Sequence, residues 1–186
     1  MKSQDIGLLL KLVCMQRREG GSGGRIPHLG QRYSVRGLAL ETGISKSQVS
    51  LALQRCFDVG LAKRDRIIGV PRTNTKGLFE FIAYGLRYVF PAKLGAVTRG
   101  IATSLGAPVL EGQLMSAGEF VPVWSDAQGD TKGQAVVPLF KSVTYAIQKD
   151  PELYALLALV DAIRLGQPRE RNLATEMIQQ RLGVTR

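Results

Sequence analysis

The sequence predicts a mainly α-helical protein with a small β-hairpin near the front and a helical, partly irregular C-terminal region. Three observations predict this class. Apolar residues recur at helical spacing in several separate segments. Serine or aspartate stands before most of those segments, and glycine or proline after them, as helix ends require. Two short strand-like runs, "LAKR" (61–64) and "IIGVP" (67–71), flank Asp65–Arg66 as a hairpin would.

Taken in order, residues 3–19, "SQDIGLLLKLVCMQRRE", predict an amphipathic helix. Ser3 is its N-cap, Ile6, Leu9, Leu10 and Val13 its apolar stripe, and Arg17 and Arg18 sit where the helix dipole favours cations. Residues 20–34, "GGSGGRIPHLGQRYS", open with five Gly or Ser residues and predict a flexible connection. The glycines lack the Gly-Lys-Ser/Thr ending of a phosphate-binding loop. Arg25 and Arg32 either touch a polyanion or are solvated loop charges. Ser34 caps a second helix, "VRGLALET", which Gly43 ends. Ser45 caps a third, "KSQVSLALQRCFDV", which ends at Gly60. The hairpin that follows carries Lys63, Arg64, Arg66 and Arg72.

A longer helix is expected from Thr75, stopped by Pro91. Its packing stripe is Leu78, Phe81, Ile82, Leu86 and Val89, broadened by Tyr84, Tyr88 and Phe90. Residues 91–138 hold seven glycines and four prolines and keep no long period. Extended, irregular chain is expected there, with a short helix near 99–105, a weak strand at "EFVPVW" and a turn at "SDAQGDTKG". Helical signals return from Pro138. "PLFKSVTYAIQK" comes first. Asp150 and Pro151 then open "PELYALLALVDAIRL", and Pro168 opens "PRERNLATEMIQQRL". The last two, joined by "GQ", form an antiparallel helical hairpin.

The bulk composition narrows the function classes. At 186 residues the chain is one domain or a small domain with an appendage, divided here as 1–74 and 75–186. Hydrophobic residues make up 45%, too many for a disordered chain. Cys14 and Cys56 lie inside apolar helical patterns and read as buried thiols of a reducing compartment. Asp5 and Lys11 interrupt the first apolar run and Val13 is no cleavage residue, so a signal peptide is rejected and a cytoplasmic location expected. The net charge of +10 is concentrated at the front. Residues 1–76 hold 14 Lys or Arg against 5 Asp or Glu, and residues 77–186 hold 11 against 10. Such segregation points to a polyanion, nucleic acid first, or else to a basic surface kept for solubility.

The stretch "LALETGISKSQVSLALQRC" favours nucleic acid, with a helical domain used only for protein contacts as the other reading. Two short helices meet at Gly43 with almost no linker. A steep crossing needs a small residue on the first helix, a glycine in the turn and an apolar anchor on the second. Ala39, Gly43 and Val49 supply them, with Ala52, Leu53 and Cys56 behind Val49. The outer face then holds Lys46, Ser47, Gln48, Ser50 and Gln54, side chains suited to phosphates and base edges. This is the pattern of a helix-turn-helix.

Over residues 3–74 the chain resembles the winged helix-turn-helix of bacterial transcriptional regulators, broadly the MarR-like group. The resemblance rests on "LALETGISKSQVSLALQRCFDVGLAKRD", where "SKSQVS" opens the recognition helix and "VGLAKRD" leads into the wing. It implies double-stranded DNA as partner, a homodimer on a near-palindromic site, and repression by occlusion of an operator. The implied DNA-binding residues are Arg36, Ser45, Lys46, Ser47, Gln48, Ser50, Gln54, Arg55, Lys63, Arg64, Arg66 and Arg72. Leu51 departs from the pattern, since such helices often place Arg there. It either meets a thymine methyl or weakens DNA binding. The long glycine-rich loop before the second helix is another departure.

Enzyme readings find little material. His28 is the sole histidine and stands beside Pro27 in a loop, so no catalytic, metal or cofactor site is expected. Cys14 and Cys56 lack the spacing of zinc ligands. Asp126 and Asp130 flank a turn, where Asp is ordinary. Trp124 either lines an effector pocket or anchors the irregular segment by packing. Residues 95–108, rich in small side chains, either approach a ligand or pack tightly as a loop. The alternative function is an antitoxin-like or defence-system regulatory protein whose residues 75–186 bind a partner protein.

Overall fold

The structure, a computed structural model, describes residues 1–21, 29–113 and 120–185. Helix α1 (Ser3–Gly21) runs through the middle of the molecule, touching elements from both halves of the chain. Every residue from Asp5 to Met15 is buried. The expected amphipathic helix is therefore a core helix enclosed on all sides. Its two interior charges are neutralised at a distance in sequence. Asp5 receives Arg55, and Lys11 receives Glu41 and Asp150. Ser3 lies within the first turn and is not the cap. The Lys2 amide donates to Asp5 Oδ2 at 2.7 Å, and the Lys2 carbonyl accepts from the Asp5 amide at 3.0 Å.

Part of the glycine-rich connection, with Arg25 and His28, lies outside the described residues. Its last residues form a single turn, α2 (Leu29–Arg32). Helices α3 (Val35–Thr42) and α4 (Lys46–Asp58) follow with the expected bounds, capped by Ser34 and Ser45. The hairpin pairs β1 (Ala62–Arg64) with β2 (Pro71–Thr73), so the second strand begins later than expected. "IIGV" is not a strand because Asp65 Oδ1 accepts from the amides of Ile67 (2.9 Å) and Ile68 (3.1 Å), closing a turn. Those two isoleucines stand exposed at its tip.

The helix after Asn74 is continuous but wide in its middle: α5 (Thr75–Glu80), a π-helical turn (Phe81–Gly85) and α6 (Leu86–Val89). Leu78, Ile82 and Leu86 are buried, as the stripe predicts. Val89, expected in the stripe, is exposed, and so are Tyr84 and Tyr88, which therefore do not broaden the buried face.

The segment expected to be irregular contains a closed three-stranded sheet. Strand β3 (Leu94–Ala102) pairs antiparallel with β4 (Pro122–Ser125) and β5 (Thr131–Val136), and β4 and β5 pair parallel. The short helix expected near 99–105 does not form: residues 99–102 belong to β3, and only a 3-10 turn at Ser104–Gly106 follows. So tight a closure brings backbones together. A Cβ on Gly100 would lie 2.1 Å from the Trp124 carbonyl oxygen, and one on Gly129 would lie 2.1 Å from that of Gly100. Gly100, among the small residues of 95–108, thus serves strand packing. Trp124 is buried and donates to Asp161 Oδ2 at 2.7 Å, joining the sheet to the C-terminal helices. Thr103 and Arg164 also donate to Asp161. Burial nonetheless pushes the Asp161 carboxyl above its ordinary pKa, outweighing these three donors.

Helix α7 (Val143–Gln148) is shorter than expected, because Leu139 and Phe140 enter the core before it starts. Helices α8 (Pro151–Leu165) and α9 (Pro168–Leu182) have the expected bounds and pack on each other. Asp150 caps α8 by accepting from the Leu153 amide. One hydrophobic cluster extends from Ile6 to Leu182 across position 74. No helix among the described residues is long and apolar enough to cross a membrane.

Candidate nucleic-acid interface

The site is built from α3, the turn at Gly43–Ser45, α4 and the β1–β2 hairpin. Gly43 has φ +70, the left-handed conformation that favours glycine, and its amide donates to the Ala39 carbonyl at 2.9 Å. A side chain there would also meet Ser142 Cβ at 2.8 Å and Tyr145 Cδ1 at 2.9 Å. Beyond the turn, Val49, Ala52, Leu53 and Cys56 are buried and fix α4 to the core. Burial of four apolar groups on one stripe leaves the opposite stripe to solvent. Lys46, Ser47, Ser50, Leu51 and Gln54 occupy that stripe and are exposed.

The outer residues differ in how free they are. Ser45 Oγ accepts from the Gln48 amide at 3.4 Å, so it serves α4 as cap. Gln48 is half-buried, and its Oε1 accepts from Gln4 Nε2 at 3.1 Å. Gln54 donates to Asp58 at 2.8 Å. Arg36, on α3, is exposed. Arg55 turns away from the outer stripe. It makes a two-pronged contact with the buried Asp5, at 2.8 Å through Nε and 2.6 Å through Nη2. Hydrogen bonding to that carboxylate raises the Arg55 pKa further.

On the hairpin, Lys63, Arg64 and Arg66 are exposed. Arg64 lies over the Phe57 ring at 5.0 Å, which holds it beside the end of α4. Arg72 is directly opposite Lys63 but points back toward α1. It donates to Glu19 at 2.7 Å and Tyr33 Oη at 3.3 Å, and pairs with Asp65 at 3.5 Å. The Ile68 and Ile67 amides hold the Asp65 carboxyl below its ordinary pKa. Of the twelve residues implied by the resemblance, Arg55 and Arg72 thus serve as ties between this region and α1. Arg36, Lys46, Lys63, Arg64 and Arg66 remain as solvent-facing cations.

A further set of residues has no signal in the local sequence. Helix α7 closes the exposed carbonyls at the end of α3. Tyr145 Oη and Lys149 Nζ donate to the Leu40 carbonyl, at 2.9 and 2.8 Å, and Ser142 Oγ donates to that of Thr42 at 2.8 Å. These groups lie about a hundred residues from their partners, so no pattern around residue 40 announces them. They clamp the turn between α3 and α4 to the C-terminal region. Among the described residues no group of three or more His, Cys, Asp or Glu could hold a metal ion. Comparison of the chain with protein-family models, curated proteins and solved structures finds no match.

Proposed function

We propose that the protein is a sequence-specific double-stranded DNA-binding transcriptional regulator, with α3, α4 and the β1–β2 hairpin acting as a winged helix-turn-helix. The observation that carries the reading is the division of α4. Four apolar residues anchor one stripe, and Lys46, Ser47, Ser50 and Gln54 leave the other open to a partner. Short polar and cationic side chains are what a major groove accepts. The exposed Arg64 and Arg66 extend the basic face along the hairpin, where contacts to phosphate fix position without reading sequence. Arg55 and Arg72 hold that frame through Asp5 and Glu19.

The protein acts as a homodimer and represses by occluding its operator. One such module has a small footprint, and two modules related by a two-fold axis read a near-palindrome. Tyr84 and Tyr88, four residues apart and both exposed, offer an apolar face for that pairing on the helix after the wing.

The test is duplex binding against salt concentration. The wild type binds genomic promoter fragments with a steep inverse salt dependence, and Arg64→Ala lowers the log–log slope by about one. Absence of binding in dilute buffer would overturn the reading.

A further inference from the structure

A groove of about 700 Å³ opens beside the N-terminal end of α4. Ser45, Gln48, Val137 and Phe140 are among the residues that line it, and Lys2 and Lys141 are its charged side chains. None of the lining residues is acidic. Both lysines are exposed, and neither ammonium has a partner among the described residues. Two exposed cations on one groove with no carboxylate in its lining favour an anionic partner.

We propose that this groove takes the sugar–phosphate strand flanking the base pairs read by α4, with Lys2 and Lys141 each on a phosphate. The inference rests on the DNA-binding reading above and extends it to the C-terminal region. Charge is the first argument, since both charged side chains of an otherwise neutral lining are lysines. Rigid connection is the second. Lys141 precedes Ser142, which is bonded to the Thr42 carbonyl at the end of α3. The Lys2 amide is bonded to Asp5, and Asp5 holds Arg55 of α4. Both lysines therefore ride on the same frame as the reading helix, and both reach the strand whenever α4 enters the groove of the duplex. Val137, 75% exposed, gives the deoxyribose carbons an apolar surface to rest on. Residues 137–142 are then part of the DNA site and not solely a connection to α7.

A phosphate contact is independent of sequence, so a fluorescein-labelled mixed-sequence duplex of about three helical turns suffices as probe. Anisotropy titrations over a salt series compare the wild type with Lys2→Ala, Lys141→Ala, the double variant and Arg169→Ala on the exposed start of α9. Each lysine variant lowers the log–log slope by about 0.9, the double variant by about twice that, and Arg169→Ala leaves it unchanged. Lys141→Arg keeps the wild-type slope. Val137→Glu, which puts a carboxylate in the groove, weakens binding at low salt while the thermal unfolding curve stays in place. If both lysine variants keep the wild-type slope while Arg64→Ala flattens it, the groove assignment is wrong and the DNA-binding reading stands. A wild type that ignores the duplex at low salt overturns both.

Discussion

Lys11 Nζ lies 2.8 Å from Asp150 Oδ2, and both side chains are fully buried, so an ion pair inside the core joins the first helix to the cap of α8. Glu41, on α3, meets the same ammonium at 2.7 Å, and Arg18 meets the other oxygen of Asp150. Three elements that position the candidate interface therefore converge on one buried charge cluster.

Breaking that cluster from one side strands a charge in the core. Asp150→Ala is expected to destabilise the protein by about 3–5 kcal/mol, because Lys11 keeps only the half-exposed Glu41. Asp150→Ala combined with Lys11→Met costs less than the sum of the two single changes. Urea unfolding of the four proteins checks both statements.

Gly43→Ala combines a left-handed backbone with contacts to Ser142 and Tyr145 that are too close for a side chain. The expected cost is about 1–3 kcal/mol in unfolding free energy. Tyr145→Phe, which removes the hydrogen bond to the Leu40 carbonyl and the one accepted from Lys149 Nζ, costs about 0.5–1.5 kcal/mol. Both are read from denaturant midpoints at unchanged slope.

The two thiols are protected by burial. Desolvation pushes Cys14 and Cys56 from an ordinary 9.0 up to about 12. Neither should react with a disulfide reagent at about pH 8 in the native protein, and both should react in denaturant. A folded-state pKa above the unfolded one stabilises fully below pH 9.0 and is lost as pH rises toward 12. Wild type therefore loses stability relative to Cys14→Ala across that window, as unfolding at a series of alkaline pH values would show.

The proposed dimer has a direct readout. Light scattering at micromolar concentration is expected to give twice the 20.3 kDa chain mass. Tyr84→Asp with Tyr88→Asp returns it to a folded monomer whose melting temperature no longer depends on protein concentration, because both side chains are exposed in the single chain.

Elements whose ends carry chemistry were legible in the sequence. Ser34, Ser45 and Asp150 each cap a helix, and α3, α4, α8 and α9 begin where those residues or a proline say they must. The closed sheet was not legible. β3 pairs with β5 more than thirty residues away, and glycines such as Gly100 are there to let backbones meet, so they leave no alternating pattern. The burial of α1 was hidden by Asp5 and Lys11, which look like solvent-facing charges until Arg55 and Asp150 are folded against them. The same non-local pairing explains the site. The open stripe of α4 follows from local periodicity. The inward turn of Arg55 and Arg72 depends on Asp5 and Glu19, more than forty residues upstream.

The most direct test of the central claim is selection of binding sites from a pool of randomised duplexes, performed with the wild type and with Lys46→Ala. The wild type is expected to enrich two related half-sites centred about one helical turn, 10–10.5 base pairs, apart. Lys46→Ala, on the open stripe, should relax one base pair in each half-site, worth roughly 1–3 kcal/mol of discrimination. A selected pool indistinguishable from the starting pool would contradict the claim that α4 reads DNA.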